Sequence, residues 1–283
     1  MPQANQTQSN HKSILLTGVS GVGKSTIAYH APQPIAALLL DKSSIDIPPG
    51  VDADGIFYKQ YPPAQIDLSK DDHGRARNIA DGIITDIQLL RDHFMAKKPL
   101  KMKMFDGTFE DWPTPKTVIL EGGDFLAQHV LNLICARHNK KNPDEWDNVF
   151  TPWGLRLVEL HAIYDQLTYL PCNVIVTTGP EEETKMVTSP NGKKSSEKTG
   201  RIMPDLGGAM CMEGPRKFAS SLYIDASSGK HLARTRSNAK YIGFKLSGHF
   251  GEQEQIDITL DRKQTVMIDD RSYTVNLWQK LFE

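Results

Sequence analysis

The chain has 283 residues, of which 39% are hydrophobic and 24% charged, with a formal net charge of −1. That balance suits a soluble globular protein with a substantial core, and it excludes a global field that would draw the chain onto nucleic acid or anionic lipid. No apolar run approaches the ~20 residues needed to span a bilayer, so no membrane partner is expected.

The start, MPQANQTQSN, has neither a basic stretch nor an apolar one and reads as a polar tail over residues 1–11 rather than a secretory signal. These features predict a cytoplasmic protein. Cys135, Cys172 and Cys211 are widely spaced and form no C-x-x-C pair, which predicts buried free thiols and no structural zinc.

Lys12–Leu16 is a short apolar strand. It runs into GVSGVGKST, Gly18 to Thr26, and a helix beginning at Ser25 that stops near Pro32 and Pro34. The stretch fits G-x-x-x-x-G-K-[ST] through Gly18, Gly23, Lys24 and Ser25. Glycines let backbone N–H groups turn inward around phosphates, and the helix start adds positive potential. This predicts a phosphate loop of Gly18, Ser20, Gly21, Val22, Gly23, Lys24, Ser25 and Thr26 that holds ATP. Lys24 should reach the β- and γ-phosphates, Ser25 should ligate Mg²⁺, and Thr26 faces the α-phosphate.

Ile35–Asp41 is a second buried strand, and residues 42–75 are read as loop-rich, with Pro48, Pro49, Pro62 and Pro63. Asp41 and Asp46 are candidates for the base that orients an attacking water. Ile79, Ile83, Ile87, Leu90 and Phe94 recur at helical spacing and predict an amphipathic helix over about 75–96. Thr117–Glu121 (TVILE) is a third strand, expected to neighbour the phosphate-loop strand. It ends in an acid, as magnesium-assisted phosphoryl chemistry requires. Glu121 is the first choice for the metal side and Asp124 the second.

Phe125–Arg137 and Trp153–Leu167 read as helices, Asn173–Thr178 as a fourth strand and Ser221–Asp225 as a fifth. Thr177 and Thr178 could sense the γ-phosphate from the end of the fourth strand. Residues 179–201 are polar, lack hydrophobic periodicity and read as a mobile loop. Lys185, Lys193, Lys194, Lys198 and Arg201 make that loop a nucleic-acid candidate. A second basic patch holds Lys230, Arg234, Arg236 and Lys240, any of which could act as a finger on a neighbouring subunit's phosphate or form the charged face of a hairpin. Strands alternating with helices predict a mostly parallel α/β sheet with helices on both faces, over residues 12–250, with 251–283 a C-terminal extension packed on it.

In order, GVSGVGKST, LLLD, TVILEGGD, WGLRLVELHAIYDQLTYLPCNVIVTT, RIMPDLGG and SLYID resemble the phage-type RecA-like P-loop ATPases, nucleotide-binding proteins associated with single-strand annealing and recombination. The resemblance spans about residues 12–245. It implies a RecA-like core, ATP hydrolysis with Mg²⁺, and a homo-oligomeric ring or filament on single-stranded DNA in a host cytoplasm. It also implies Glu121 as the Walker B acid, 179–201 as the DNA-binding segment, and Lys240, or Arg234 and Arg236, as intersubunit fingers, beside Thr178 as the sensor candidate read from its strand end. Where that family carries D-x-E after the second strand, this chain reads Asp41-Lys42-Ser43, and its Walker B acid is Glu rather than Asp. Both departures bear on turnover rather than on nucleotide binding. Two other readings stay open: a small-molecule kinase, with Arg201 and Arg216 on a lid over 201–217, and an ATP-binding assembly protein with little turnover.

Overall fold

The computed structural model describes residues 11–40, 47–63, 68, 72–148, 150–189, 194–227, 230–246, 254–260, 264–268 and 271–282. Asp41, Asp46 and Lys193 lie outside these residues, as does the side chain of Lys194. In chain order the elements are β1 (Ser13–Thr17), α1 (Lys24–Tyr29), β2 (Ile35–Leu39), β3 (Ile56–Gln60) and α2 (His73–Ala96). Next come β4 (Leu100–Lys103), β5 (Phe109–Trp112), β6 (Thr117–Glu121), α3 (Gly123–Arg137), α4 (Thr151–Thr168) and β7 (Asn173–Thr178). Then follow β8 (Pro180–Thr188), β9 (Lys194–Pro204), α5 (Met210–Glu213), β10 (Ser220–Ser227) and β11 (Lys230–Arg234). The last are β12 (Gln255–Asp257), β13 (Gln264–Ile268), β14 (Arg271–Val275) and α6 (Leu277–Lys280).

Eight strands form one sheet in the order β12-β11-β10-β1-β7-β6-β2-β3. From β10 to β3 every pairing is parallel, while β11 and β12 add antiparallel at one edge. The central strands are apolar along their length because both faces are covered. Leu15, Leu38, Leu120 and Val176 face a core shared with α2, α3 and α4. Ile14, Leu16, Leu39 and Ile175 face a second core with α1, Ile256, Ile258 and the wholly buried Trp278 of α6. The architecture is a mostly parallel sheet with helices on both faces, as the alternation of strands and helices predicts. The sheet continues past residue 250, since β12 pairs with β11. Cys135, Cys172 and Cys211 are buried free thiols.

Three expectations are corrected. β7 lies between β1 and β6, so the strand bearing Glu121 is not the neighbour of the phosphate-loop strand. The stretch read as loop contains β3, a sixth parallel strand paired with β2. Its sequence IFYKQ hides a strand because Lys59 and Gln60 break the apolar run at an edge. Of the stretch 179–201 read as a loop, residues 180–188 and 194–201 belong to an antiparallel hairpin of β8 and β9. Glu182 pairs with Lys198 and Glu183 with Arg201 across it, so opposite charges take the place of a hydrophobic face.

The edge strand also carries a buried ion pair. The Lys59 ammonium and the Tyr61 hydroxyl both donate to the Asp86 carboxylate of α2, and the Lys59 ammonium lies 5.2 Å from the ring centres of Tyr61 and Phe105. Burial and the neighbouring carboxylate push the Tyr61 hydroxyl well above its usual range. Removing one partner strands a buried charge. Asp86→Ala is therefore expected to lower the unfolding free energy by about 3–5 kcal/mol, read from the urea midpoint. A loss under about 1 kcal/mol would show that water reaches Lys59.

On α3, burial holds the His129 imidazole down to about 4, against an ordinary value of 6.5. The folded chain keeps this ring neutral, while the unfolded chain protonates it below about pH 6.5. Its effect on stability is nil above that pH. As the pH falls toward about 4 the fold loses roughly 3 kcal/mol, after which the loss levels off. Urea midpoints from pH 7.5 to 4.5 should fall less steeply in His129→Leu than in wild type; equal slopes would remove His129 as the cause.

Candidate functional site

The carboxyl edge of the sheet holds the phosphate loop. Gly21 and Gly23 both take positive φ, 81° and 84°, a conformation that side chains disfavour. Gly18 is constrained by closeness instead: a Cβ there would lie 2.6 Å from the Ile224 carbonyl of β10. Its own N–H reaches the Thr178 carbonyl of β7 at 3.4 Å. The first glycine of the motif thus lets the loop sink between two strands. Val22 sends its side chain into the core beside α1, so only its backbone serves the loop.

A cavity of about 620 Å³ lies over the loop, lined by Ser20, Gly21, Gly23, Lys24, Ser25 and Thr26. Its other wall is Glu121, Gly122, Asp124, Phe125, Thr177, Thr178 and Gly179. The Lys24 ammonium donates to the Gly18 and Val19 carbonyls at 2.7 and 3.1 Å, folded onto the loop it would leave for a phosphate. α1 packs across β7, which carries its polar side chains over to β6. There the Ser25 hydroxyl donates to one oxygen of Glu121, and the Tyr29 hydroxyl donates to the other at 2.9 Å. Glu121 is buried, at 6% exposure, so this pair of donors is what makes its charge tolerable.

A hydroxyl and a carboxylate converging beside a lysine form an all-oxygen donor set suited to Mg²⁺, and the left-handed glycines leave the cradle that phosphates need. The residues therefore fit a magnesium nucleotide. The Gly122 N–H is held by Thr177, through its carbonyl at 3.2 Å and its hydroxyl at 3.3 Å, which fixes the turn after Glu121. Thr178 lines the cavity, but its hydroxyl donates to the Asp205 carbonyl. None of Arg234, Arg236 and Lys240 lines it. Arg234 lies over the Tyr241 ring at 4.4 Å with Glu254 at 4.0 Å, and the Lys240 ammonium is 5.4 Å from the same ring. Lys198 and Arg201 sit on the hairpin in their pairs with glutamates.

A second cavity, about 680 Å³, shares Asp124 with the first. Phe150, Trp153, Arg156, Glu181 and Asp205 contribute to its wall. The Arg156 guanidinium lies over the Trp153 ring at 4.6 Å and against Gly207 and Gly208, where a Cβ on Gly208 would come within 2.7 Å of it. Burial, with Glu181 and Asp124 nearby, pushes the Asp205 carboxyl up to about 6. Burial and the Glu181 carboxylate push the Cys211 thiol up to about 12, and that thiol donates to Glu181 at 2.8 Å.

Sequence reasoning missed Tyr29, Arg156, Glu181 and Asp205. Tyr29 had a signal: it stands four residues after Ser25 on the same helix face. The others come from distant elements with no local spacing to mark them.

A family profile described as AAA domain matches residues 10–211. No curated protein is similar enough to match. Among solved structures, a KaiC-like protein from the hyperthermophilic archaeon Pyrococcus horikoshii aligns at 11% identity and a TM-score of 0.34, over 93% of this chain and 89% of that one. The flagellar accessory protein FlaH from Methanocaldococcus jannaschii aligns at 10% identity and a TM-score of 0.32, over the same shares.

Gly18→Ala forces a methyl group against a backbone carbonyl that belongs to the sheet and cannot swing aside. A loss of about 1–3 kcal/mol in urea unfolding is expected. An unchanged midpoint would mean that β1 and β10 can separate at that point.

Proposed function

The chain belongs to the AAA domain family, and on that premise we propose that it is an ATPase that binds ATP with Mg²⁺ and works as a homo-oligomer on single-stranded DNA. The observation that carries this reading is the meeting of Lys24, Ser25 and Glu121 around one glycine-lined cavity. Lys24 exchanges the Gly18 and Val19 carbonyls for phosphate oxygens. Ser25 and Glu121 would hold the Mg²⁺ between them, with Tyr29 keeping its hold on Glu121. When bound, the ion would supply charge neutralisation on the phosphates. Asp41, two residues after β2, is the proposed base, and Thr178 the residue that feels the terminal phosphate through its bond to Asp205.

The β8–β9 hairpin is the proposed DNA contact, with Lys185, Lys193, Lys194, Lys198 and Arg201 supplying the charge. Phosphates would have to compete with Glu182 and Glu183 for two of those cations, so the contact should weaken steeply with salt. The role in phage recombination, replication or packaging follows from the family resemblance, as do the ring or filament and the neighbour-facing Arg234, Arg236 and Lys240.

A second reading, phosphoryl transfer to a small molecule, is favoured by the second cavity, which opens beside Asp124 at the Glu121 end of the first. Release of ADP that depends on an added metabolite and not on DNA would select it.

The test is ATP turnover at low salt with and without single-stranded DNA. Lys24→Ala should weaken nucleotide binding by more than about tenfold and remove turnover, because it deletes the cation facing the phosphates. Wild-type protein that neither binds ATP nor responds to DNA would overturn the proposal.

A further inference from the structure

The phosphate loop has a second wall, which comes from outside the stretch matched by the AAA domain profile. β11 runs antiparallel to β10, and its register sets His231 opposite Ala226 near the carboxyl edge of the sheet. Ala233, two residues on and therefore on the same face, is wholly buried in the core with α1. His231 thus faces the α1 side and meets the loop from there. A Cβ built on Gly23 would lie 2.6 Å from Nε2 of the imidazole and 3.2 Å from Cδ2. The ring fills the space that any side chain at position 23 would take.

The backbone that carries the ring is fixed. The His231 N–H donates to the Thr259 hydroxyl at 2.9 Å, and its carbonyl accepts from the Ile258 N–H at 2.8 Å. Thr259 is itself fixed, its hydroxyl donating to Asp257 at 2.6 Å. Nδ1 of the imidazole is buried with no hydrogen-bond partner among the described residues, so packing rather than a side-chain bond sets the ring's place. Gly23, at φ 84°, is the residue from which α1 starts and the last glycine before Lys24. A glycine there is free to visit many conformations, and a loop that must order itself on binding loses affinity.

We propose that His231 is a positioning residue for the phosphate loop: wedged against Gly23, it holds the loop in the turn that aims its amides at a triphosphate. The proposal rests on the ATP-binding reading. The C-terminal part of the chain then acts on nucleotide affinity through one imidazole.

The experiment measures the Kd of a fluorescent ATP analogue for full-length wild type, Lys24→Ala, His231→Ala and His231→Gln, together with thermal melts. Absent binding by wild type overturns the ATP reading itself. With wild type binding, His231→Ala should raise Kd by more than about threefold at a temperature where it is fully folded. A smaller rise overturns the proposal. If His231→Ala does not fold, His231→Gln is judged by the same criterion. Free imidazole should return at least part of the lost affinity by refilling the space over Gly23, and no return assigns the loss to general destabilisation and overturns the positioning role. A cycle with Gly23→Ala adds a separate check. Removing the imidazole removes the clash at 2.6 Å, so the double variant should bind more tightly than the two single losses multiplied together, and simple multiplication overturns the wedge.

Discussion

The structure depends on a reach across one strand. Glu121 stands on β6, the phosphate loop leaves β1, and β7 fills the gap between them. α1, laid over β7, spans that distance with two hydroxyls on one face, Ser25 and Tyr29. A buried carboxylate needs donors, and an acid fully held by donors is poorly placed to take a metal as well. The arrangement answers both demands. Tyr29 holds one carboxylate oxygen and Ser25 the other, and the Ser25 hydroxyl is the one that also lines the cavity. The position of α1 follows in turn from Gly18 and Gly23, one letting the chain sink against β10 and the other turning it sharply into the helix.

Much of this was legible in the sequence where a local pattern carries the information. The strands SILLT, TVILE and NVIVTT announce themselves because a strand covered on both faces must be apolar throughout. The helix over 73–96 shows its period for the same kind of reason, a single face buried against the sheet. The phosphate loop is legible because backbone geometry demands glycine at fixed spacing. Spatial order is not local, so the insertion of β7 between β1 and β6 left no trace in any short stretch. Nor was the β8–β9 hairpin visible, because backbone ladders and cross-strand charge pairs hold it without an apolar face. The lysines of 179–201 attracted notice while Glu181, Glu182 and Glu183 did not, although the pairing of the two signs is what makes the ribbon.

The candidate site divides along the same line. Lys24, Ser25 and Glu121 are motif residues and meet in one cavity. Arg156, Glu181, Asp205 and His231 reach the site region from a helix, a hairpin, a turn and the strand next to the sheet's edge. Their importance is a matter of packing distance: a guanidinium that needs two glycines beneath it, a carboxyl raised by burial and by its neighbours, an imidazole against a loop. The two cavities meet at Asp124, so a charge change at that residue is felt by both.

The feet of the β8–β9 hairpin carry a further consequence. The chain leaves the sheet at Gly179 and comes back beside that point at Asp205, whose N–H bonds the Gly179 carbonyl at 2.9 Å, and whose carbonyl takes the Thr178 hydroxyl. Departure and return are stapled at one point, with Pro180 and Pro204 paired just above it. Just beyond that staple the ribbon stays tied to the body, Ile202 through Lys240 and Ile242 and Glu181 through Cys211, so any freedom to exchange its length and charge begins only past those residues. A scaffold built this way separates the part that must stay constant around the glycine-lined cavity from the part whose length and charge can vary.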